Sequence, residues 1–339
     1  MIRIGIAGYG YWGPNLARAV AESGAARVEM IADMSDAALK RASLRHPAAA
    51  LTTDIMEMIR SPQIDAVMIA TPVNTHYPLA LAALQAGKHV VVEKPMAETV
   101  ANASRLVDEA QRRGLTLMVD HTFVYTGAIQ AISKLIHSRE LGDIYYYDST
   151  RVNLGLFQRD VNVIWDLAVH DFAIMDHLFE SKPAAISASA AGFLSNSPEN
   201  MAHLTVHYEC GAMAHLNVNW LAPVKIRQTL IGGSKKMVIY DDMQASEKVK
   251  IYDRGAVKGQ DDYAHLVSYR LGDMHAPALS TKEALVSETE EFVRCIDTGD
   301  TPITDGVGGL RVVEMLAAAS RSTELRGHPV DLVSLKVAS

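Results

Sequence analysis

Asp166 and His170 stand four residues apart in Trp165-Asp166-Leu167-Ala168-Val169-His170-Asp171. On a helix that spacing puts both side chains on one face, where they can meet. A histidine titrates near neutral pH, and an adjacent carboxylate orients it and stabilises its charged form. Such a pair can take a proton from a hydroxyl. Asp171 lies about 100° further round the same helix. Far upstream, Lys94 follows the apolar run His89–Glu93, and Pro95 fixes the chain after it. An ammonium there can hold a hydroxyl and stabilise the oxyanion that hydride transfer creates or consumes. The plainer alternatives are a helix N-cap for Asp166, a satisfied core histidine for His170, and a surface lysine paired with Glu93 for Lys94.

A hydride needs an acceptor, and the N-terminus offers a place for one. Gly8-Tyr9-Gly10-Tyr11-Trp12-Gly13 is a GxGxxG that follows a strand and opens a helix. The first glycine allows a tight turn, the second lets backbone approach a pyrophosphate, and the third lets helix and strand pack. The pyrophosphate then sits on the helix N-terminus, where free N–H groups and the helix dipole favour an anion. Pro14 suits that first turn, because its missing N–H would be unpaired anyway. The companion acid, expected about 20 residues on, is Asp33 in Ile31-Ala32-Asp33-Met34-Ser35. A carboxylate accepts hydrogen bonds from a free ribose 2′-hydroxyl and repels a 2′-phosphate. The nearest bases are Lys40 and Arg41, so the expected cofactor is NAD rather than NADP.

These residues require a particular set of elements. Ile2–Gly8, Val28–Asp33, Ala66–Thr71, His89–Glu93 and Thr116–Asp120 read as strands that are apolar throughout. Pro14–Ser23, Ser35–Arg45, Ile55–Arg60, Tyr77–Gln85 and Asn102–Arg113 read as helices, with Gly114 placed to stop the last. Apolar strands separated by helices imply a parallel sheet covered on both faces. From about residue 121 strands dominate, with little helix: Tyr145–Asn153, Ala185–Ala191, Ala202–Tyr208, Ala212–Trp220, Lys225–Gly232 and Lys236–Tyr240. Residues 253–280 read as an irregular loop. Helices near Thr281–Thr298 and Val307–Leu325 close the chain, with Gly327 ending the second. The expected fold class is α/β. Residues 1–120 form an N-terminal Rossmann domain with a doubly wound parallel sheet. Residues 121–339 form a C-terminal α+β domain with a large, mostly antiparallel open sheet, for substrate binding and oligomerisation, and the last helices are candidates to return to the first domain.

Composition excludes several classes. The 339 residues are 49% hydrophobic and 21% charged, the balance of a compact protein rather than a disordered one. A net charge of −7 without a basic block argues against nucleic acid or an anionic membrane as partner. Cys210 and Cys295 form no metal or disulfide pattern, which fits a reducing, cytoplasmic setting, and no metal is expected. His177, seven residues after His170, completes no ligand set. There is no signal peptide pattern and no apolar run of about 18 residues.

Three further stretches, Ala70-Thr71-Pro72-Val73-Asn74-Thr75-His76, Val91-Val92-Glu93-Lys94-Pro95 and Trp165–Asp171, resemble one family in its own order: the glucose–fructose oxidoreductase, inositol dehydrogenase and rhizopine catabolism (Gfo/Idh/MocA) oxidoreductases. Glu93-Lys94-Pro95 looks like the family's EKP signature. The resemblance implies Lys94, Asp166 and His170 as the catalytic set. It implies Gly8, Gly10, Tyr11, Trp12, Gly13, Asp33, Thr71, Pro72, Asn74, His76, Glu93 and Lys94 as the NAD contacts, with His76 lining the nicotinamide ribose region. His121 occupies a position where many members carry asparagine, and is expected to touch substrate.

Arg151-Val152-Asn153-Leu154-Gly155, Asp160–Trp165, Asn219-Trp220 and Lys225-Ile226-Arg227 look like the subgroup acting on nucleotide-linked sugars. Arg151, Lys225 and Arg227 can offer charge to a diphosphate, and Asn153 and Asn162 hydrogen bonds to sugar hydroxyls, with Trp165 beside them. The alternative is that the basic residues decorate a solvated sheet face. The expected activity is therefore an NAD-dependent sugar dehydrogenase, with a nucleotide-sugar, a free sugar or an inositol-type polyol as substrate. The other readings are an NAD-dependent glycoside hydrolase and a non-catalytic NAD-binding regulator, the latter disfavoured by the retained Lys94, Asp166 and His170. A homodimer or homotetramer is expected, because an open sheet face calls for a partner.

Overall fold

The computed structural model describes residues 1–155, 161–194, 197–258 and 267–332. Asp160, one residue of the nucleotide-sugar-like segment, lies outside them. The chain forms two compact units: Met1–Thr126 with Lys282–Glu314, and Gly127–Thr281 with Met315–Ser339.

The first unit holds six parallel strands, β1 (Ile2–Ala7), β2 (Ala26–Ala32), β3 (Ala50–Thr52), β4 (Ala66–Ile69), β5 (His89–Glu93) and β6 (Leu117–Asp120), in the order β3-β2-β1-β4-β5-β6. This is the doubly wound order, with its reversal between β1 and β4. Helices α1 (Gly13–Ser23), α2 (Asp36–Arg45), α3 (Ile55–Arg60), α4 (His76–Gln85) and α5 (Val100–Arg113) link the strands. With helices on both faces, a strand has no solvent side, so every residue of β4 and β6 is buried. The Thr99 hydroxyl caps α5 by accepting the Asn102 N–H, and the helix stops at Gly114 as expected. The edge strand β3 has no counterpart in the sequence reading. Its three residues are too few to show a period, and Ala50 and Leu51 are exposed.

The second unit contains α6 (Gly127–His137), β7 (Ile144–Leu154), α7 (Val169–Leu178), β8 (Pro183–Ala191), β9 (Met201–Tyr208), β10 (Met213–Asn219), β11 (Leu221–Gly233), β12 (Met237–Asp241), β13 (Val249–Lys258) and β14 (Val267–His275). Two further helices follow, α8 (Ala284–Thr298) in the first unit and α9 (Gly306–Glu324), along which the chain passes into the second, before a short strand β15 (Val330–Asp331). The nine strands run β14-β13-β12-β11-β7-β10-β9-β8-β15. Only β7 and β10 pair in parallel. Along β9, Ala202, Leu204, Val206 and Tyr208 are buried while His203 and His207 are exposed, the alternation of a sheet with one solvated face.

Two expectations need correction here. Residues 253–280 are not an irregular loop: β13 and β14 occupy 249–258 and 267–275, and 259–266 lie outside the described residues. These are the outer strands of an open sheet, where Tyr269 and Leu271 are 79% and 78% exposed. β14 thus has no buried apolar alternation around Tyr269 and Leu271 to betray it, and the buried Val249 and Ile251 of β13 precede residue 253. The scarcity of helix after residue 121 is also overstated, since α6 and α7 both lie there. Among the described residues no helix is long and apolar enough to cross a membrane.

Candidate active site

The glycine loop of the first unit is tight for reasons internal to the chain. Gly8 has φ +91°, and a Cβ on it would stand 2.6 Å from the Ala70 carbonyl oxygen. A Cβ on Gly13 would stand 2.0 Å from the Gly8 carbonyl oxygen, so neither tolerates a side chain. Gly10 differs: nothing lies within 4 Å of its Cβ position, which leaves open the side from which a pyrophosphate approaches. The α1 N-terminus behind it has no side-chain cap and carries a proline in its first turn, so its N–H groups remain for an anion. Asp33 closes the loop: Oδ2 accepts the Tyr9 N–H at 2.6 Å and Oδ1 the Ser35 N–H at 2.8 Å. These features fit a dinucleotide. Tyr11, expected to touch it, is 85% exposed.

The carboxyl ends of β5 and β6 carry a denser arrangement. Glu93 ends β5 and Asp120 ends β6, opposite one another in the parallel register. Asp120 is buried and accepts hydrogen bonds from Trp12 Nε1 at 2.9 Å and from the Thr122 hydroxyl. Trp12 thus ties the glycine loop to β6. Glu288 from α8 is also buried, and burial together with the nearby Asp120 charge holds its carboxyl well above the usual range. Burial and Asp120 do the same to Glu93, against the pull of Lys94. His121 is buried, and burial lowers its pKa to about 4, so it is neutral at physiological pH. Lys94 itself is half-buried, as is Thr71, while Pro72 and Asn74 are exposed.

His76 is held by backbone groups. Its ring is buried, with Nδ1 2.9 Å from the Pro95 carbonyl and Nε2 2.8 Å from the Thr71 carbonyl. Both ring nitrogens are committed to backbone, so His76 pins the segment after β4 to the segment after β5.

In the second unit, Asp166 and His170 are both half-buried, but not on one regular helix. Ile164–Ala168 forms a π turn and α7 begins at Val169, so the two residues straddle a change of helical pitch. Asp166 Oδ2 accepts a bond from Trp220 Nε1 at 3.1 Å. Asn162 is not turned to a sugar: its Oδ1 accepts the N–H groups of Ile164 and Trp165, each at 3.1 Å, and its Nδ2 donates to Glu199 at 3.2 Å. It caps the π turn. Trp165 Nε1 donates to the Ser320 hydroxyl at 2.9 Å.

Arg151 neither meets solvent nor waits for a phosphate. It is buried, and its Nε donates to Asp171 Oδ2 at 3.0 Å, while the Tyr147 and Ser149 hydroxyls donate to Asp171 Oδ1. Asp171, wholly buried, is the acceptor that joins α7 to β7. Arg227 is half-exposed and pairs with Asp242 at 3.3 Å; Lys225 is exposed and Asn153 half-buried. Among the described residues no group of three or more His, Cys, Asp and Glu side chains could hold a metal.

Residues 2–121 match a family described as an oxidoreductase family with an NAD-binding Rossmann fold, and residues 129–239 match the GFO/IDH/MocA C-terminal domain. The chain belongs to the Gfo/Idh/MocA oxidoreductases. A UDP-N-acetylglucosamine 3-dehydrogenase from Acidithiobacillus ferrooxidans is 29% identical over 265 residues, 76% of this chain and 77% of that one. An inositol 2-dehydrogenase from Rhizobium meliloti is 25% identical over 337 residues, 95% and 96% of the two chains. An oxidoreductase from Agrobacterium radiobacter, solved in complex with NAD+, L-tartaric acid and magnesium, shares the fold with a TM-score of 0.81 at 17% identity, over 98% of this chain and 99% of that one.

As a Gfo/Idh/MocA oxidoreductase the chain carries NAD on its Rossmann unit, and the structure adds residues there that sequence reasoning missed. Arg41, weighed in the sequence only as one of the nearest bases, donates to the Tyr9 carbonyl at 3.2 Å, a contact with the glycine loop that spacing did not show. Asp120 had a signal: like Glu93, it is an acid ending an apolar strand. Glu288 had a subtler one, falling on the buried stripe of α8 with Leu285, Thr289 and Phe292. A charged residue at a core position is rare unless it has work to do. For Asp171 the signal was absent, because its partners Tyr147, Ser149 and Arg151 lie on a strand some 20 residues earlier.

Proposed function

We propose that this oxidoreductase is a sugar dehydrogenase, moving a hydride between NAD and a hydroxyl-bearing carbon of a sugar, with a nucleotide-linked sugar as the first candidate. The observation that carries the reading is the likeness to a UDP-N-acetylglucosamine 3-dehydrogenase over three quarters of both chains. Bound NAD supplies the hydride acceptor. Lys94, just past β5, holds the substrate oxygen and stabilises the negative charge that grows on it. His170 takes the hydroxyl proton as the C–H bond gives up its hydride, leaving a ketone; in the reverse direction it returns that proton. Asp166 orients His170, and Trp220, bonded to Asp166 Oδ2, positions Asp166 in turn. With Arg151 and Asn162 engaged inside the second unit, Lys225 and Arg227 are what remains to meet a diphosphate. A free polyol is the second reading, favoured by the inositol 2-dehydrogenase likeness along nearly the whole chain.

The test is a screen of UDP-sugars, free sugars and inositols for reduction of NAD. Turnover of a UDP-sugar well above all others supports the first reading, preference for an inositol the second, and no substrate-dependent reduction by either class removes both. We also propose a homodimer or homotetramer, supported by the open nine-stranded sheet with its exposed face; sedimentation of a monomer at micromolar concentration would reject it.

A further inference from the structure

Asp120 and Glu288 are buried and Glu93 is half-buried with Oε1 sealed. These acids have no part in the proton and oxyanion roles above, yet gathering three carboxyl groups away from water is costly and calls for a reason. Asp120 is 2% exposed and holds two hydrogen-bond donors, Trp12 Nε1 and the Thr122 hydroxyl. Glu288 is 3% exposed, and both its oxygens, like Oε1 of Glu93, are sealed from solvent with no donor. The Asp120 charge acts on both glutamates.

The three cannot all be ionised. Burial and the Asp120 charge hold both glutamate carboxyls well above the usual range, which favours their protonated forms, since only a protonated carboxyl can sit against a carboxylate without repulsion. The cluster therefore sets the Asp120 charge among two carboxyls whose neutral forms are favoured. The groups that face it are few. Lys94 acts on Glu93 and His121, the Tyr125 phenol is affected by Glu288, and His121 lies in the fields of both Asp120 and Lys94.

His121 points to a ligand. It is 4% exposed, and neither ring nitrogen has a hydrogen-bond partner. A buried imidazole in that state is a donor and an acceptor waiting for a partner. It stands at the carboxyl edge of the sheet, where ligands of a doubly wound fold bind, next to the residue tied to the glycine loop through Trp12.

We propose that the Glu93–Asp120–Glu288 cluster is a counter-charge for the oxidised nicotinamide. The ring is cationic in NAD+ and neutral in NADH. A carboxylate held in a dry setting discriminates between them in a way a solvated one does not. Glu93 and Glu288, biased to their neutral forms, surround that charge without exposing it to water. The Asp120 charge opposes that of Lys94 at this edge of the sheet, so removing it leaves the surroundings of the ring more positive. The inference rests on the NAD binding of the Rossmann unit and not on the sugar reading, so binding measurements without substrate separate the two.

The experiment is a pair of titrations, NAD+ and NADH separately, on the full-length wild type, Asp120→Asn and Glu288→Gln. Asp120→Asn keeps an acceptor for Trp12 but removes the charge. It should weaken NAD+ binding about tenfold, the effect of one pKa unit's worth of interaction, and move NADH by less than about twofold. Glu288→Gln mimics the protonated acid and should leave the NAD+/NADH ratio at its wild-type value. Equal weakening of both dinucleotides by Asp120→Asn would show a structural tie through Trp12 and overturn the proposal. So would a shift of the ratio by Glu288→Gln, which would mean that Glu288 is charged. Should Asp120→Asn fail to fold, infrared difference spectra of wild type against Glu288→Gln decide. The carbonyl stretch of a protonated carboxyl, lost in the variant at neutral pH, is expected, and its absence in the wild type overturns the proposal.

Discussion

Lys94 follows β5 and His170 lies on α7, so neither belongs to the glycine loop, and alanine at either tests the chemical step. Lys94→Ala and His170→Ala should each lower turnover by about 100-fold or more, since general acid–base contributions reach 10²–10⁴-fold, with NAD affinity of His170→Ala within a few-fold of wild type. Near-normal turnover in either folded variant removes that residue from the mechanism. Asp33 governs the other end of the dinucleotide. Because its two oxygens hold the Tyr9 and Ser35 N–H groups, Asp33→Asn is the cleaner change than alanine. The wild type should bind NAD more tightly than NADP, and Asp33→Asn should narrow the gap by removing the repulsion of a 2′-phosphate. Calorimetric titration of both cofactors checks it; tighter NADP binding by the wild type would mean that Arg41, already at the Tyr9 carbonyl, outweighs Asp33. At this scale the legible residues were those whose spacing is itself the chemistry, such as the glycines with Asp33. The partners of His76, Arg151 and Asn162 were not legible, because they are backbone groups or residues on other elements that no spacing shows.

Among the elements, α7 and its π turn bear on the site most directly, because they carry Asp166 and His170. Asn162 caps the turn and Trp220 reaches Asp166 from the strand side. Asp171 anchors the helix that follows to β7 through Tyr147, Ser149 and Arg151. Asp171→Ala leaves a buried guanidinium and two buried hydroxyls without their acceptor. It should cost about 3–5 kcal/mol, the range for removing one partner of a buried ion pair. Replacing both residues, Arg151→Met with Asp171→Leu, should recover most of the loss, since no charge is then left in the core. Urea unfolding of the three variants measures it, and a loss below about 1 kcal/mol for Asp171→Ala would mean that Arg151 finds water. The elements of the Rossmann unit were readable because strands covered on both faces must be apolar throughout. Those of the open sheet's edge were not, because β14 exposes Tyr269 and Leu271, and the buried alternation of β13, Val249 and Ile251, lies before residue 253.

For the whole molecule the deciding quantity is charge. The chain carries a net −7, so a nucleotide diphosphate approaches a like-charged protein and binding depends on a local excess of positive charge. Around Asp242 there is one: Arg227 at 3.3 Å and Lys248 at 3.2 Å share that single carboxylate, and Lys225 is exposed two residues before Arg227. A charge-assisted bond to phosphate is worth about 1.5–3 kcal/mol, which is roughly ten- to a hundredfold in affinity. Arg227→Ala should therefore raise KM for a UDP-sugar by about that factor and barely change any activity on the free sugar. Salt acts on the same term, because exposed charges are screened within about 10 Å at 0.1 M. It should raise KM for the nucleotide-linked substrate of the wild type and do so less in Arg227→Ala. A KM that neither the substitution nor a salt series moves would leave the diphosphate with nothing to hold it, and the free sugar or polyol as the substrate.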